Sequence, residues 1–178
     1  MGIWNLKFLD RDEIEKIHET SLEILSKVGI KVDHNEIHEE IKKNGAEETK
    51  DHRLLLSDEL VEEAIKKSTK KYSIYARNSK YNLKIGSGNL RFLSSGGQMW
   101  IVDPIRKERR KPTIKDLREA IIIGDALENI NIVGSMVIPQ EIPVSGRSVY
   151  IYSELIKNSS KVVFSWIEDP REAPYVLR

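Results

Sequence analysis

Apolar positions recur at helical spacing from Asp10 onward: Ile14, Ile17, Ile24, Leu25 and Val28 share one side of a helix, and Gly29 supplies its stop. Asp10 and Glu13 have capping-box spacing, which fixes where that helix begins. Asp33 with Glu36 repeats the start signal for a second, mostly polar helix carrying Ile37 and Ile41 and ending at Asn44-Gly45. After the apolar run Leu54 to Leu56, Ser57 can cap a third helix that turns Leu60, Val61, Ala64 and Ile65 inward. Residues 1–71 therefore read as a helical region.

From Tyr72 the period shortens. Tyr72 to Ala76 and Tyr81 to Ile85 alternate as strands around a turn at Asn78-Ser79, and Gly86 to Asn89 turns the chain into Leu90 to Leu93. Gly96-Gly97 interrupts it before Met99 to Val102, and Asp103-Pro104 opens a turn into a charged run. Residues 72–111 are expected to form an antiparallel β meander.

Pro112 ends the meander, and Thr113 with Asp116 caps a helix whose buried side would be Leu117, Ala120, Ile121 and Leu127. Ile130 to Ile138 and Lys161 to Ile167 are nearly continuous apolar runs, as suits parallel strands covered on both faces. A helix over Val144 to Lys157 lies between them, and Asp169-Pro170 opens another. Residues 112–178 thus read as the first βαβ portion of an α/β sheet. Two parallel strands leave an open edge and apolar faces, so the chain is expected to be the start of a larger protein and to form a homo-oligomer.

Composition narrows the chemistry. The 178 residues carry 29 Lys plus Arg against 28 Asp plus Glu, so the basic excess of a typical nucleic-acid-binding domain is missing. The longest apolar runs are about four residues, far from the roughly 20 that span a bilayer. Met1 to Lys7 lacks a basic segment followed by an apolar stretch, and the expected location is the cytoplasm. With no cysteine, disulfides, thiol catalysis and thiolate metal sites are excluded within this sequence.

His34 and His38 stand four apart on the second helix and could chelate a metal with Glu36, Glu39 or Glu40 nearby; no third ligand is fixed by spacing, and a polar helix face explains them better. The expectation is no metal. His18 and His52 have no partner that the sequence identifies. Arg106 to Lys111 holds five cations in six residues. Without interleaved stacking aromatics it reads as a solvated hairpin at a sheet edge rather than a nucleic-acid site.

Five collinear segments carry a resemblance. They are Asp12 to Glu19, Tyr75-Ala76-Arg77-Asn78, Ile101-Val102-Asp103-Pro104, Arg109-Arg110-Lys111-Pro112-Thr113, and Gly134 to Pro143. In that order and spacing they resemble the N-terminal part of the trimethylamine methyltransferase family. The resemblance implies a TIM-type barrel after an α+β N-terminal region. It also implies methyl transfer from a methylated amine, trimethylamine or a quaternary amine such as glycine betaine, to a corrinoid (cobalamin) on a separate corrinoid protein, with no cofactor bound by this chain. The chain is shorter than a typical member, so the alternative is a non-catalytic module serving oligomerisation or partner binding.

Barrel enzymes place their chemistry at the C-terminal ends of the strands. Gln140 and Glu141 follow the first parallel strand and Trp166 ends the second, and a carboxylate and an aromatic face both suit a methylated ammonium ion. The plainer reading makes Glu141 a solvated loop acid and Trp166 a core residue. Gly96, Gly97 and Gln98 correspond to a glycine-rich segment of the family and could bring backbone close to a ligand; a simple loop between strands is the competing reading. No catalytic group is assigned.

Overall fold

The computed structural model describes residues 8–177; the stretch Met1 to Lys7, read above for a targeting signal, lies outside them. The chain divides into two compact units, residues 1–69 and 70–178. Among the described residues no helix is long and apolar enough to cross a membrane.

In the first unit, α1 (Arg11–Lys27) starts at the capping box. The Asp10 carboxylate accepts the Glu13 N–H at 2.8 Å, and the Glu13 carboxylate accepts the Asp10 N–H at 2.9 Å. Helices α2 (Asn35–Lys43) and α3 (Asp58–Lys67) follow, and Ser57 caps α3 as its position suggests. Asp33 does not cap α2. His34 holds that position, its Nδ1 facing the Ile37 N–H, while Asp33 pairs with Lys31 at 3.0 Å.

The region is not purely helical. Strands β1 (Ile30–Lys31), β2 (Glu47–Glu48) and β3 (Arg53–Leu55) form a small antiparallel sheet in the order β1-β3-β2, with Leu54 fully buried at its centre. Gly29 is required at its edge, because its φ is +69° and a Cβ there would meet the Leu54 carbonyl oxygen at 2.3 Å. The apolar residues expected to turn inward on α3 instead line an open cleft of about 620 Å³ with Leu25, Ile41 and Leu56.

In the second unit, β4 (Tyr72–Ile74) pairs antiparallel with β5 (Leu83–Ile85), and β6 (Ile101–Val102) pairs antiparallel with β7 (Arg109–Arg110). The expected single meander is therefore two separate hairpins. Then come α4 (Ile114–Ala126), β8 (Ile132–Gly134), α5 (Val144–Asn158), β9 (Val162–Phe164) and the short α6 (Ala173–Val176). Strands β8 and β9 pair in parallel, with Gly134 opposite Phe164.

The chain between the hairpins, residues 92–98, runs parallel to β8 on its other side. Ser94 donates its N–H to the Ile132 carbonyl, Met136 donates to Ser95, Gln98 donates to Met136, and Ile138 donates back to Gln98, all at 2.8–3.3 Å. Three chain segments thus lie side by side in sequence order and point the same way.

Their core is formed by Leu117 and Ile121 of α4, Val133, Val137 and Ile138 along and after β8, and Ile151 and Leu155 of α5. Leu127 is exposed, contrary to expectation, because α4 ends one residue earlier. Its carbonyl, with that of Ile130, accepts the buried Lys161 ammonium at 2.7 and 2.8 Å, which places a cation on the negative end of α4. Arg118 of α4 grips Glu154 of α5 through two bonds of 2.7 and 3.2 Å. Arg77, from the linker after β4, donates to the Ile156 carbonyl near the end of α5 at 2.6 Å.

Candidate functional site

The C-terminal ends of the three parallel segments converge on Gly96, Ser135 and Ser165. The Ser135 hydroxyl donates to the Gly96 carbonyl at 2.6 Å, and the Ser165 hydroxyl donates to Ser135 at 3.1 Å. The Tyr152 hydroxyl of α5 donates to the Ser165 carbonyl at 2.7 Å, so the chain of bonds ties all three segments to the helix layer. Both serines are buried, and their hydroxyls satisfy backbone that a Gly-rich segment would otherwise leave unpaired. Sequence reasoning missed them. Their signal was a polar residue at the same register in two apolar runs, one place beyond Gly134 and Phe164.

Gly96 lies under an aromatic pair. The rings of Phe164 and Trp166 meet edge to face with centroids 5.6 Å apart, and a Cβ on Gly96 would fall 2.5 Å from the Trp166 Nε1. Trp166 is 59% exposed, so it is not the core residue of the plainer reading; the indole offers surface to solvent at the strand ends. Gly97, with φ +137°, sits against Ile138 and the Ser135 hydroxyl, where a Cβ would meet atoms at 2.8 and 3.0 Å. Gln98 takes part through its paired backbone. The glycine-rich stretch is an irregular segment with positive φ at Gly97, as the loop reading expects, but it is tied to β8 and the chain after it by isolated parallel bridges at Leu93 and Gln98, and its small residues let it press against the segment that follows β8.

Gln140 and Glu141 turn toward α4. The Gln140 N–H donates to the Pro112 carbonyl at 3.2 Å, and the exposed Glu141 carboxylate accepts the Ile114 N–H at 2.6 Å, at the first turn of α4. Nearer the end of β9, Glu168 pairs with buried Arg147 at 3.0 Å. The Arg147 guanidinium also donates to the Ile142 carbonyl at 2.8 and 3.0 Å. The Glu172 carboxylate accepts the backbone N–H groups of Gly146 and Ser148 where regular α5 begins. Burial would raise its pKa, but the Ser148 hydroxyl and these N–H groups outweigh that and hold it below the ordinary carboxylate value. The carboxylates here are engaged in structure, and the aromatic pair offers the exposed indole face at this end of the strands.

Before α4, the β6–β7 hairpin is braced by ion pairs. Arg110 donates to Asp103 at 2.8 Å and bidentately to Asp116 at 2.7 and 2.8 Å. The Asp103 carboxyl, accepting the Arg106 N–H and then Arg110, is held down at about 2, and the Arg110 guanidinium holds Asp116 well below the usual range.

The histidines belong to the first unit. His34 and His38 do not converge; His38 instead lies 3.3 Å from Glu48, as does His52 at 2.8 Å, and His18 lies 2.6 Å from Glu62. Among the described residues no group of three or more His, Asp or Glu side chains is arranged to hold a metal ion.

The family model described as trimethylamine methyltransferase (MTTB) matches residues 1–178. Two curated relatives come from Desulfitobacterium hafniense. A glycine betaine methyltransferase of strain Y51 is 30% identical over 166 residues, which is 93% of this chain and 34% of the relative. A trimethylamine methyltransferase MttB of strain DSM 10664 / DCB-2 is 30% identical over 168 residues, 94% of this chain and 34% of the relative. The chain spans about a third of the length of the curated relatives it matches.

Proposed function

Because this chain belongs to the trimethylamine methyltransferase family, we propose that it supplies about a third of an enzyme that moves a methyl group from a methylated amine to a corrinoid on a separate protein. In this reading residues 92–98, β8 and β9 are successive strands of a TIM-type barrel, with α4 and α5 as crossovers. The corrinoid supplies a strongly nucleophilic cobalt when its carrier docks. The chain's own part is to hold the amine.

The observation that carries the reading is the half-exposed Trp166, set edge to face on Phe164 over Gly96 at the C-terminal ends of the parallel strands. An indole face attracts a methylated ammonium ion through its quadrupole, and the strand ends are where barrel enzymes gather their substrates. The buried serine chain and Tyr152 keep that edge rigid, so the aromatic surface is set before the amine arrives.

The test uses a protein of the relatives' length containing this segment, with trimethylamine and glycine betaine as donors and cob(I)alamin as acceptor. Methylcobalamin formation with one of the amines, reduced about ten-fold or more in kcat/KM by Trp166→Ala, is the expected result. Absence of transfer from either amine would overturn the assignment.

A further inference from the structure

The β6–β7 hairpin leaves the sheet at Gln98, directly beyond the C-terminal end of the 92–98 segment, and returns to it through Pro112, whose carbonyl accepts the Gln140 N–H. It therefore rises from the same end of the strands as Trp166. Its tip is a built turn. The Asp103 carboxylate accepts the N–H groups of Ile105 and Arg106 at 3.0 and 2.9 Å and the Arg110 side chain at 2.8 Å. The Asp103 backbone bonds to Glu108 and Lys107 at 2.8 and 2.9 Å. Arg110 then anchors the whole hairpin to Asp116 at the start of α4.

This rigid frame presents Ile105 to solvent at 90% exposure, the highest value of any large apolar side chain among the described residues. At the base of the hairpin Trp100 stacks with two cations, the Arg109 guanidinium 4.4 Å and the Lys111 ammonium 3.7 Å from its ring. Arg110 is paired with Asp103 and Asp116, and with Arg106, Lys107, Arg109, Lys111 and Lys115 against Glu108 and Glu119 the hairpin and the first turns of α4 keep a modest excess of positive charge. A hydrogen-bonded turn with an exposed aliphatic tip, on a hairpin rich in Arg and Lys with a half-exposed Trp at its base, brings residue types common in protein-binding hot spots to one element, and a turn ordered beforehand loses little entropy on docking.

Resting on the proposed function, we propose that this hairpin is the docking surface for the corrinoid-carrying protein, which engages it through an acidic face. The carrier must approach the end of the strands where the amine is held, because the methyl group moves over bonding distance, and the hairpin stands at that end. Complementary charge would steer the encounter, and Ile105 would provide the apolar contact at the tip.

The experiment compares the relative-length protein with its Ile105→Ser/Arg106→Glu variant, whose changes fall on exposed side chains outside the amine site. Binding to the holo corrinoid protein of the source organism is measured by interferometry at low and physiological salt. Methyl transfer is followed with that carrier and with free cob(I)alamin. Docking through the hairpin predicts that the variant's Kd and KM for the carrier rise about ten-fold or more, while transfer to free cob(I)alamin is unchanged. The unmodified protein's affinity should weaken as salt rises. The proposal is overturned by a variant Kd within about two-fold of the unmodified protein, by salt-independent binding, by no measurable binding of the carrier, or by equal loss of transfer to free and carried corrinoid. If the unmodified protein transfers no methyl group even to free cob(I)alamin, the proposed function fails, whereas the hairpin is still judged by the Kd comparison.

Discussion

The Glu141 carboxylate accepts the backbone N–H of Ile114 at 2.6 Å, across 27 residues of sequence. It thereby places an anion on the positive end of α4, beside the Thr113–Asp116 capping box. Sequence position alone made Glu141 a candidate for amine binding; geometry gives it this other task. Glu141→Gln should therefore cost about 0.5 kcal/mol in chemical denaturation and leave amine affinity in the relative-length protein within about two-fold. A drop of about ten-fold in amine affinity with unchanged stability would return Glu141 to the substrate.

Legibility followed locality. The capping boxes at Asp10/Glu13 and Thr113/Asp116 were readable because both partners lie within one helical turn. The parallel pair β8 and β9 was readable because its apolar runs outlast any amphipathic period. The sheet β1-β3-β2 was not, since its strands are two or three residues long and their pairing is set by Leu54 meeting Ile30 and Glu48 across turns. Ser94 to Gln98 looked like a loop because Gly and Ser carry little strand preference, and its approach to β8 depends on a missing side chain on the partner strand: a Cβ on Gly134 would fall 1.5 Å from the Ser95 oxygen. At the candidate site, Trp166 was singled out from its position at a strand end and the glycines from the family resemblance, whereas Ser135, Ser165 and Phe164 needed the register.

Asp116 accepts four hydrogen bonds at 2.6–2.8 Å, two from Arg110 and two from Thr113. Replacing it with Asn should destabilise the second unit by about 2 kcal/mol at neutral pH, because the buried side of the Arg110 fork loses its charged acceptor. The pH dependence has a definite sign. Asp116 and Asp103 titrate below their ordinary values in the folded chain, Asp103 at about 2. Their stabilisation is thus complete above the unfolded value of about 4 and fades as pH falls toward about 2. Urea midpoints taken along that descent should fall less steeply in Asp116→Asn than in the unmodified chain. Parallel descents would show that the carboxylate contributes nothing through its charge.

Lys161 is buried with its ammonium on the carbonyls of Gly124, Leu127 and Ile130. Lys161→Met keeps the aliphatic stem and removes the donors. The cost of burying a cation disappears as well, so the net loss should be about 2 kcal/mol rather than the full value of three charged bonds. Hydrogen exchange would locate it, with amides in the last turn of α4 losing protection first. Uniform loss across the unit would mean that the ammonium does not specifically hold that helix end.

Gly96 and Gly134 separate the site from its scaffold. Alanine at position 134 would drive its Cβ into the Ser95 backbone, which cannot yield without detaching residues 92–98 from β8, and a loss above about 4 kcal/mol is expected. Alanine at position 96 meets instead the Trp166 indole at 2.5 Å, the far end of a half-exposed side chain that can swing outward. Gly96→Ala should therefore keep its fold to within about 1 kcal/mol while altering the near-ultraviolet circular dichroism of the Phe164–Trp166 pair. Displacing the indole removes the face proposed to hold the amine, so KM for the amine in the relative-length protein should rise about ten-fold, an effect in the range of one desolvated cation–π contact. A shifted aromatic spectrum with unchanged KM would assign Trp166 to packing around Gly96 and remove it from the amine site.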